Sequence, residues 1–286
     1  MPAHIGPYTL HTIETGRFRL DGGAMFGIVP KPLWERRIPA DERNRIPLNM
    51  RCLLIEGPER LILIDNGIGS TYGDKFADIY GIDHEYAELH RSLAAAGFDA
   101  NEVTDVILTH LHFDHCGGTT KRAGDDWVLA FPNARHHIQR AHWRWANDPT
   151  PKEENSFLAS NFALLEANDQ LNLLDGSQDL WGGISVELVN GHTEAQQIVK
   201  IAAEGDDTLI YVADLLPTTA HLGPAWTMAY DVRPLVTIEE KSDFLERALA
   251  DEWTLFFEHD PDVAIANVER SEKGITTVDP RPLDAL

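Results

Sequence analysis

The feature that most constrains the fold of this chain is a repeated pattern in which a short apolar run stops at polar side chains. Short apolar runs bounded by turn-forming residues are typical of buried strands. The runs and the polar residues after them are Leu61–Ile64 with Asp65, Val103–Leu108 with His110 to His115, Ile184–Val189 with His192, Thr208–Val212 with Asp214, and Thr254–Phe257 with His259. Each polar cluster therefore follows a predicted strand.

Predicted helices lie between these strands, which indicates an α/β architecture. Leu89, Leu93 and Ala96 recur at helical spacing, and Gly97 supplies a stop. The other predicted helices are Ala141–Asn147, Phe157–Asn168 and Glu239–Ala250, and the other predicted strands are Cys52–Ile55, Phe131–Gln139 and Ile198–Ala202. One long irregular stretch remains, Gly22–Met50, and loops of this length in compact domains tend to be functional lids or walls.

Length and composition limit the classes of protein that this chain can represent. A chain of 286 residues is expected to form one domain over 1–286. The formal net charge of -22 repels phosphate backbones and anionic lipid surfaces, so neither a nucleic acid nor a membrane is an expected partner. The N-terminus lacks a secretory pattern, and Cys52 and Cys116 are too few for a disulfide framework, so the cytoplasm is the expected compartment.

The segment from His110 to His115 has the residue types of a metal site. In an extended segment the side chains of His110, His112 and Asp114 point to one side, while a turn at His115 directs its ring to a neighbouring point. Imidazole and carboxylate groups together suit zinc and similar divalent ions. The later predicted strands are followed by His192, Asp214 and His259. The sequence therefore predicts a site for two adjacent metals.

The ordered set His-x-His-x-Asp-His, followed at these spacings by a histidine, an aspartate and a histidine, resembles the metallo-β-lactamase superfamily in its N-acyl homoserine lactonase branch. Leu63–Gly67 is similar to the superfamily's strand and turn before the first helix. Gly22–Pro30 is similar to an N-terminal segment of quorum-quenching lactonases and methyl parathion hydrolase relatives. The resemblance implies an αββα sandwich of two mixed sheets, with helices outside and the site at one edge where strand ends meet.

The resemblance also implies a role for each ligand. His110, His112 and His192 would hold one divalent metal, Asp114, His115 and His259 the other, and Asp214 would bridge them. Zinc is the expected ion at both positions, with manganese, iron and cobalt as alternatives. A metal-bridging hydroxide would attack an ester-like carbonyl while Asp114 carries the proton, and Asp65 would fix a ligand histidine from behind.

The implied activity is the opening of lactone esters, in particular N-acyl homoserine lactones, as small-molecule substrates. The candidate substrate contacts are Met25, Phe26, Trp34 and Phe113 as walls for an acyl chain, and His221. Many lactonases of this branch carry a tyrosine three residues after the bridging aspartate, where this chain has Pro217. Either another group takes that role or the substrate differs. Ala195 stands where relatives usually carry glycine.

Other functions remain open at this point. The same kind of centre serves phosphotriesterases and thioester hydrolases, and a persulfide dioxygenase uses a related scaffold with one iron, held here by His110, His192 and Asp214. True β-lactamase action is disfavoured because zinc β-lactamases with this motif carry a cysteine at the position of Asp214. A non-catalytic binder and a homodimer are also left open.

The remaining histidines are expected to pack rather than to bind metal. His136, His137 and His142 fall on a predicted strand and a predicted helix, where packing is the more common role. Replacing His142 by alanine is therefore expected to have little effect.

Overall fold

The computed structural model describes residues 2–272 and 274–286. These residues form two seven-stranded sheets and a two-stranded hairpin. The strands are β1 (Ala3–Ile5), β2 (Tyr8–Asp21), β3 (Arg45–Glu56), β4 (Leu61–Ile64), β5 (Asp105–Ile107), β6 (Thr120–Ala123), β7 (Asp126–Leu129), β8 (Arg135–Gln139), β9 (Leu171–Leu174), β10 (Gln178–Trp181), β11 (Ile184–Val189), β12 (Gln196–Ile201), β13 (Leu209–Tyr211), β14 (Thr254–Phe256), β15 (Ile265–Ser271) and β16 (Gly274–Arg281).

The helices lie between the strands along the chain. The α-helices are α1 (Gly22–Phe26), α2 (Lys31–Trp34), α3 (Asp74–Tyr80), α4 (Leu89–Ala95), α5 (Phe113–Cys116), α6 (Arg140–Asn147), α7 (Ala159–Ala167) and α8 (Pro234–Ala250). Short 3-10 turns span Gly117–Thr119, Ala213–Leu215, Thr219–Leu222 and Leu283–Ala285. No helix in the described part of the chain is long and apolar enough to cross a membrane.

Both sheets are mixed, and the parallel pairs of strands in each sheet bring the polar clusters together. The strand order is β1-β2-β3-β4-β5-β8-β9 in the first sheet and runs from β10 to β16 in sequence order in the second. β4 and β5 are parallel neighbours in the first sheet, and β13 and β14 are parallel neighbours in the second. Parallel neighbours end at the same edge of a sheet. The residues after each pair therefore lie side by side.

The two sheets pack face to face through alternate residues of their strands. In the first sheet Leu53, Ile55, Ile62 and Ile64 face the second sheet. The residues that meet them from the second sheet include Val199, Leu209, Tyr211 and Phe256. Residues between these positions, such as Leu54 and Leu63 in the first sheet and Ile210 in the second, point to the outer faces. This alternation follows from the two-residue period of a strand.

Helices cover the outer face of each sheet. Leu93 of α4, Trp143 of α6 and Phe162 of α7 pack on the first sheet. Phe244 and Leu245 of α8 pack on the second. The layers are therefore helix, sheet, sheet and helix, which confirms the αββα fold class.

The segment Gly22–Met50 is more regular than the sequence predicts. It contains α1 and α2, and its last part belongs to β3, which pairs with β2 from Arg45 onward. Pro47 does not disturb this pairing. The N–H groups of Asn49 and Arg51, which share its side of the strand, donate away from β2 to the carbonyls of His259 and Glu258. Because the N–H that proline lacks would also point away from β2, the ladder remains complete.

Two turns cross in direct backbone contact beside the histidine-rich segment. Gly69, in the loop after β4, has a φ of +64°, and a Cβ at this position would overlap the carbonyl group of Gly117. Gly117 follows α5 directly. In the same loop, the N–H of Asn66 donates to the carbonyl of His115 at 2.9 Å. The loop after β4 therefore holds the end of the histidine-rich segment through its backbone.

We expect Gly69→Ala to destabilise the protein more than Gly124→Ala. The φ angles of the two glycines are +64° and +65°, so both substitutions carry the cost of a left-handed alanine, about 1–2 kcal/mol. Only position 69 adds a backbone overlap, because no described residue lies within 4 Å of a Cβ at position 124. Urea unfolding measures both variants. Equal losses in the free energy of unfolding would contradict the close packing of the two turns.

Candidate metal centre

The histidine-rich segment bends at His112. His110 and His112 lie in the extended segment after β5, whereas Asp114 and His115 lie on α5. The N–H groups of His115 and Cys116 donate to the carbonyl of His112 at 3.0 and 3.1 Å, which closes the turn. The sequence prediction of an extended run through Asp114 is therefore wrong. The bend directs Asp114 and His115 to a different point from His110 and His112.

The remaining predicted ligands come from three other strand ends. His192 follows β11, Asp214 lies in the 3-10 turn after β13, and His259 follows β14. The first ligand group is His110, His112, His192 and Asp214, and the second ligand group is Asp114, His115 and His259. Within each group the donor atoms lie within 4.8 Å of one another, and every one of these residues is buried.

Asp214 lies between the two ligand groups. Its Oδ2 lies 3.2 Å from Nε2 of His192 and 3.5 Å from Nε2 of His115. Its Oδ1 lies 3.4 Å from Nε2 of His259 and is buried without a hydrogen-bond partner among the described residues. One carboxylate thus faces rings of both groups, which is the position of a bridging ligand.

Each histidine in the two ligand groups has one ring nitrogen that points away from the other ligands, here called the outward nitrogen. A hydrogen bond holds each outward nitrogen. The outward contacts are His110 Nδ1 with Thr109 Oγ1 at 3.0 Å, His112 Nε2 with Glu153 Oε1 at 3.3 Å, His115 Nδ1 with Asp65 Oδ2 at 3.0 Å, His192 Nδ1 with Asp231 Oδ1 at 3.0 Å, and His259 Nδ1 with the Asn49 carbonyl at 2.8 Å. Carboxylates and carbonyls only accept hydrogen bonds, and the Thr109 hydroxyl already donates to Asp65. Each outward nitrogen therefore carries the ring proton.

The inward nitrogens are then lone pairs that face one another. Nδ1 of His112 lies 3.1 Å from Nε2 of His110 and 3.1 Å from Nε2 of His192. Nε2 of His259 lies 3.1 Å from Nε2 of His115. When the rings are neutral, these tautomers have no proton to share across such contacts, and a cation between the nitrogens would offset their repulsion. Buried nitrogen and carboxylate donors of this kind fit divalent transition metals.

At His110 and Asp214 the surroundings favour the protonation states that metal ligands need. At His115 and His192 burial lowers the pKa, but nearby carboxylates outweigh burial and raise it. Burial lowers the pKa of His110 well below its usual range, and neighbouring imidazoles lower it further. Burial alone would raise the pKa of Asp214, but His192, His115 and His259 outweigh burial and hold that pKa far below its usual range. An unprotonated histidine and an ionised aspartate are the forms that bind a metal.

Asp65 lies where the sequence predicts it, directly behind His115. It also accepts hydrogen bonds from the N–H and the hydroxyl of Thr109, each at 2.7 Å. A second carboxylate, Glu258, lies with Oε2 3.0 Å from the same Nδ1 of His115. Burial and the nearby Glu258 raise the pKa of Asp65 to about 7. His115 is therefore held between two buried carboxyl groups.

The sequence carries no signal for Glu153 and Asp231, which hold His112 and His192. Both lie in irregular segments outside any motif, and both are almost fully buried. Their histidine partners are 41 and 39 residues away along the chain. Local spacing cannot indicate a contact of this range, because the fold creates it.

A cavity of about 170 Å³ lies over the two ligand groups. Its lining residues are Leu20, Met25, Tyr80, His112, Phe113, Asp114, Lys152, Glu153, Asn155, Ser156, His192, Asp214, Met228, Tyr230 and His259. Met25 and Phe113 therefore lie in the wall, as the sequence predicts. The metal-site residues form one side of the cavity, and apolar and aromatic side chains form much of the rest.

Phe26, Trp34 and His221 do not line this cavity, so the sequence prediction for these three residues is not met. The ring of Phe26 stacks between Trp34 and His221, with centroid distances of 5.4 and 4.7 Å. Nε2 of His221 lies 2.8 Å from the carbonyl of Met25. The three residues are buried behind Met25 and support it. Their positions in the sequence could not indicate which face of the segment meets the cavity.

Tyr80 and Tyr230 line the cavity. Pro217, which stands where many lactonases carry a tyrosine, is buried and does not line it. Burial raises the pKa of Tyr80 and of Tyr230, and the nearby Asp114 carboxylate adds to both shifts. Both phenols therefore stay protonated at neutral pH, and each can donate a hydrogen bond to a molecule in the cavity.

Three of the seven described non-glycine residues with positive φ angles lie beside the ligands. Asp65, Ala195 and Ala213 have positive φ angles of 54°, 53° and 45°. A left-handed conformation costs a residue with a side chain about 1–2 kcal/mol, and such strain is often found at functional sites. The conformation of Ala195 also explains why glycine suits this position in relatives.

His142 packs in the interior, as expected, but it links the two ligand-bearing loops. Its Nε2 accepts a hydrogen bond from the N–H of Leu111 at 2.8 Å, and its Nδ1 lies 2.6 Å from the carbonyl of Glu194. The side chain is fully buried. Replacement by alanine would leave both backbone groups without partners. The structure therefore reverses the expectation that such a change would have little effect.

Comparison with known proteins identifies related chains. A family model described as the metallo-beta-lactamase superfamily matches residues 46–259. A probable metal-dependent hydrolase from Staphylococcus aureus is 31% identical, with a TM-score of 0.88 and 97% of each chain covered. The dizinc quorum-quenching lactonase AidC is 22% identical, with a TM-score of 0.82, and the match covers 99% of this chain and 97% of AidC, which supports the fold.

A curated relative matches over a shorter span. The N-acyl homoserine lactonase AttM of Rhizobium radiobacter is 24% identical over 185 residues. The matched segment covers 63% of this chain and 66% of the relative, slightly less than two thirds of its length.

We expect divalent metal to raise the thermal unfolding midpoint of this protein and Asp214→Ala to lose most of that rise. A ligand present at a hundred times its Kd stabilises the folded state by about 2.7 kcal/mol. Asp214 faces both ligand groups, so its loss weakens binding at each. Differential scanning fluorimetry with zinc and with a chelator measures the rise. Asp175→Ala, at an exposed aspartate, is the control. An undiminished rise in Asp214→Ala would contradict the bridging position.

Proposed function

Because this chain belongs to the metallo-β-lactamase superfamily, we propose that it is a metal-dependent hydrolase that opens lactone esters, N-acyl homoserine lactones in particular. The observation that carries the proposal is the pair of ligand groups joined by Asp214 beneath a small cavity with apolar walls. The names of the relatives, an N-acyl homoserine lactonase and a quorum-quenching lactonase, support the substrate class.

Two divalent ions per chain are proposed, with zinc as the expected metal. His110, His112 and His192 would hold one ion, Asp114, His115 and His259 the other, and Asp214 would lie between them. Manganese, iron and cobalt suit the same donors and remain alternatives. When bound, the ions supply Lewis acidity that polarises a carbonyl and lowers the pKa of water towards about 7.

The residues of the cavity suit a neutral carbonyl with an apolar chain. Leu20, Met25, Phe113 and Met228 provide apolar surface. The protonated phenols of Tyr80 and Tyr230 are available to donate a hydrogen bond to the carbonyl oxygen. They are the groups we propose in place of the tyrosine that Pro217 replaces.

The reaction needs one proton carrier on the floor of the cavity. Ring opening adds the hydroxyl of water to the carbonyl carbon, breaks the bond from that carbon to the ring oxygen, and transfers a proton to the ring oxygen. Asp114 lines the cavity and is 7% exposed. In this proposal its carboxylate accepts the proton of water and delivers it to the leaving oxygen.

Elemental analysis of the purified protein should give two equivalents of divalent metal per chain. Asp214 belongs to the first ligand group and also faces the second, so both positions should fill. Protein purified without added metal or chelator and then passed through a desalting column provides the sample. One iron per chain with no second equivalent would instead support the mononuclear oxidoreductase and contradict the hydrolase.

We expect kcat/KM for acyl homoserine lactones to rise over the first few methylenes of the acyl chain and then level off. A buried methylene contributes at most about 0.8 kcal/mol, which is about fourfold. The cavity of about 170 Å³ is smaller than the 300–1,000 Å³ typical of ligand sites, so a long chain would extend beyond it. Met25→Ala should lower the efficiency several-fold and flatten the dependence on chain length.

The control is Leu33→Ala, an exposed leucine outside the cavity wall. Phosphotriesters and thioesters are tested beside the lactones with the same zinc-loaded protein. Absence of any lactone opening would contradict the proposed substrate class. Lactone opening that depends neither on chain length nor on Met25 would leave the hydrolase intact but contradict the role of the cavity wall.

A further inference from the structure

Helix α6 and the turn after it contact both loops that supply the first ligand group. One loop carries His110 and His112, and the other carries His192. Two side chains from α6 and this turn, His142 and Glu153, each connect one loop to the other. These two bridges run beside each other, because His142 joins Leu111 to Glu194 and Glu153 joins the neighbouring His112 to Thr193.

Glu153 uses both carboxylate oxygens in these contacts. Oε1 lies 3.3 Å from Nε2 of His112 and accepts a hydrogen bond from the hydroxyl of Thr193 at 2.6 Å. Oε2 accepts from the indole N–H of Trp145 on α6 at 2.7 Å. The side chain is only 2% exposed.

The carboxylate of Glu153 fixes the ring of His112. A carboxylate only accepts, so Nε2 of His112 must carry the proton and Nδ1 must be free for a metal. The bond to Thr193 ties the same carboxylate to the residue after His192. Trp145 sets the position of the carboxylate relative to α6. One side chain thus fixes the tautomer of one ligand and its distance from a second.

The second ligand group is supported by other residues. His115 is held by Asp65, and His259 by the carbonyl of Asn49. The side-chain hydrogen bonds of Glu153 among the described residues go to His112, Thr193 and Trp145. The support of the two groups therefore differs, and Glu153 acts on the first group.

We propose that Glu153 is a positioning residue that sets the metal affinity of the first ligand group while leaving the affinity of the second group nearly unchanged. This inference rests on the proposed binding of two metals. Loss of an outer partner of a metal-bound histidine typically lowers metal affinity by 10- to 100-fold. The same loss should appear here at one of the two sites.

The experiment compares Glu153→Gln with Glu154→Gln, at the exposed neighbouring glutamate. Calorimetric titration of chelator-treated protein with zinc measures the affinity of each site, and titration with cobalt follows the visible absorption of each bound ion. In Glu153→Gln one site should weaken by about 10- to 100-fold, with a changed cobalt spectrum for that ion alone. In Glu154→Gln both sites should match the native protein.

Thr193→Val provides a second variant that preserves the shape of the side chain. It removes the hydroxyl that orients the Glu153 carboxylate, so the same site should weaken to a smaller extent. Equal weakening of both sites in Glu153→Gln, or no change at either, would overturn the inference. Native protein that binds a single ion would overturn the two-metal proposal instead, and Glu153 would then be tested by the affinity for that ion.

Discussion

The site depends on buried imidazole nitrogens that face one another at hydrogen-bond distance. Each ring gives its proton to an outward partner, such as Glu153 behind His112 or Asp231 behind His192, so the inward nitrogens are lone pairs about a hydrogen-bond length apart. The carboxylate of Asp214 lies within 3.5 Å of histidine rings of both ligand groups. A cation is the natural occupant of such an arrangement, and the outward hydrogen bonds keep it ready for one.

Backbone hydrogen bonds and sharp backbone turns also help to position the ligand residues. β3 donates from Asn49 and Arg51 to the carbonyls of His259 and Glu258, so a strand of the first sheet holds a ligand that follows a strand of the second. The left-handed residues Ala195 and Ala213 occur where the chain must turn sharply beside a ligand. This strain is sustained because the surrounding sheets and helices fix the ends of each turn.

The cavity lies over both ligand groups. Its floor is formed by residues of these groups, and its walls combine apolar side chains with the phenols of Tyr80 and Tyr230. Phe26 and Trp34 act from behind, because they fix the segment that presents Met25. The side chains that line the cavity, such as Met25, therefore set its size. The side chains packed behind them, such as Phe26 and Trp34, hold the lining in place.

The sequence by itself determined the strands that precede the candidate ligands and the choice of those residues as candidates, because both depend on local order along the chain. Ile184–Val189 is a strand with the predicted bounds, and His110, His192, Asp214 and His259 each lie just beyond a strand end. Only the tertiary structure decided the bend at His112, the extension of β3 through Pro47, and the burial of Phe26, Trp34 and His221. It also decided that Glu153 and Asp231 would reach histidines 41 and 39 residues away. Contacts of this kind arise when helices and loops pack on the sheets, and the order of residues along the chain does not encode such distances.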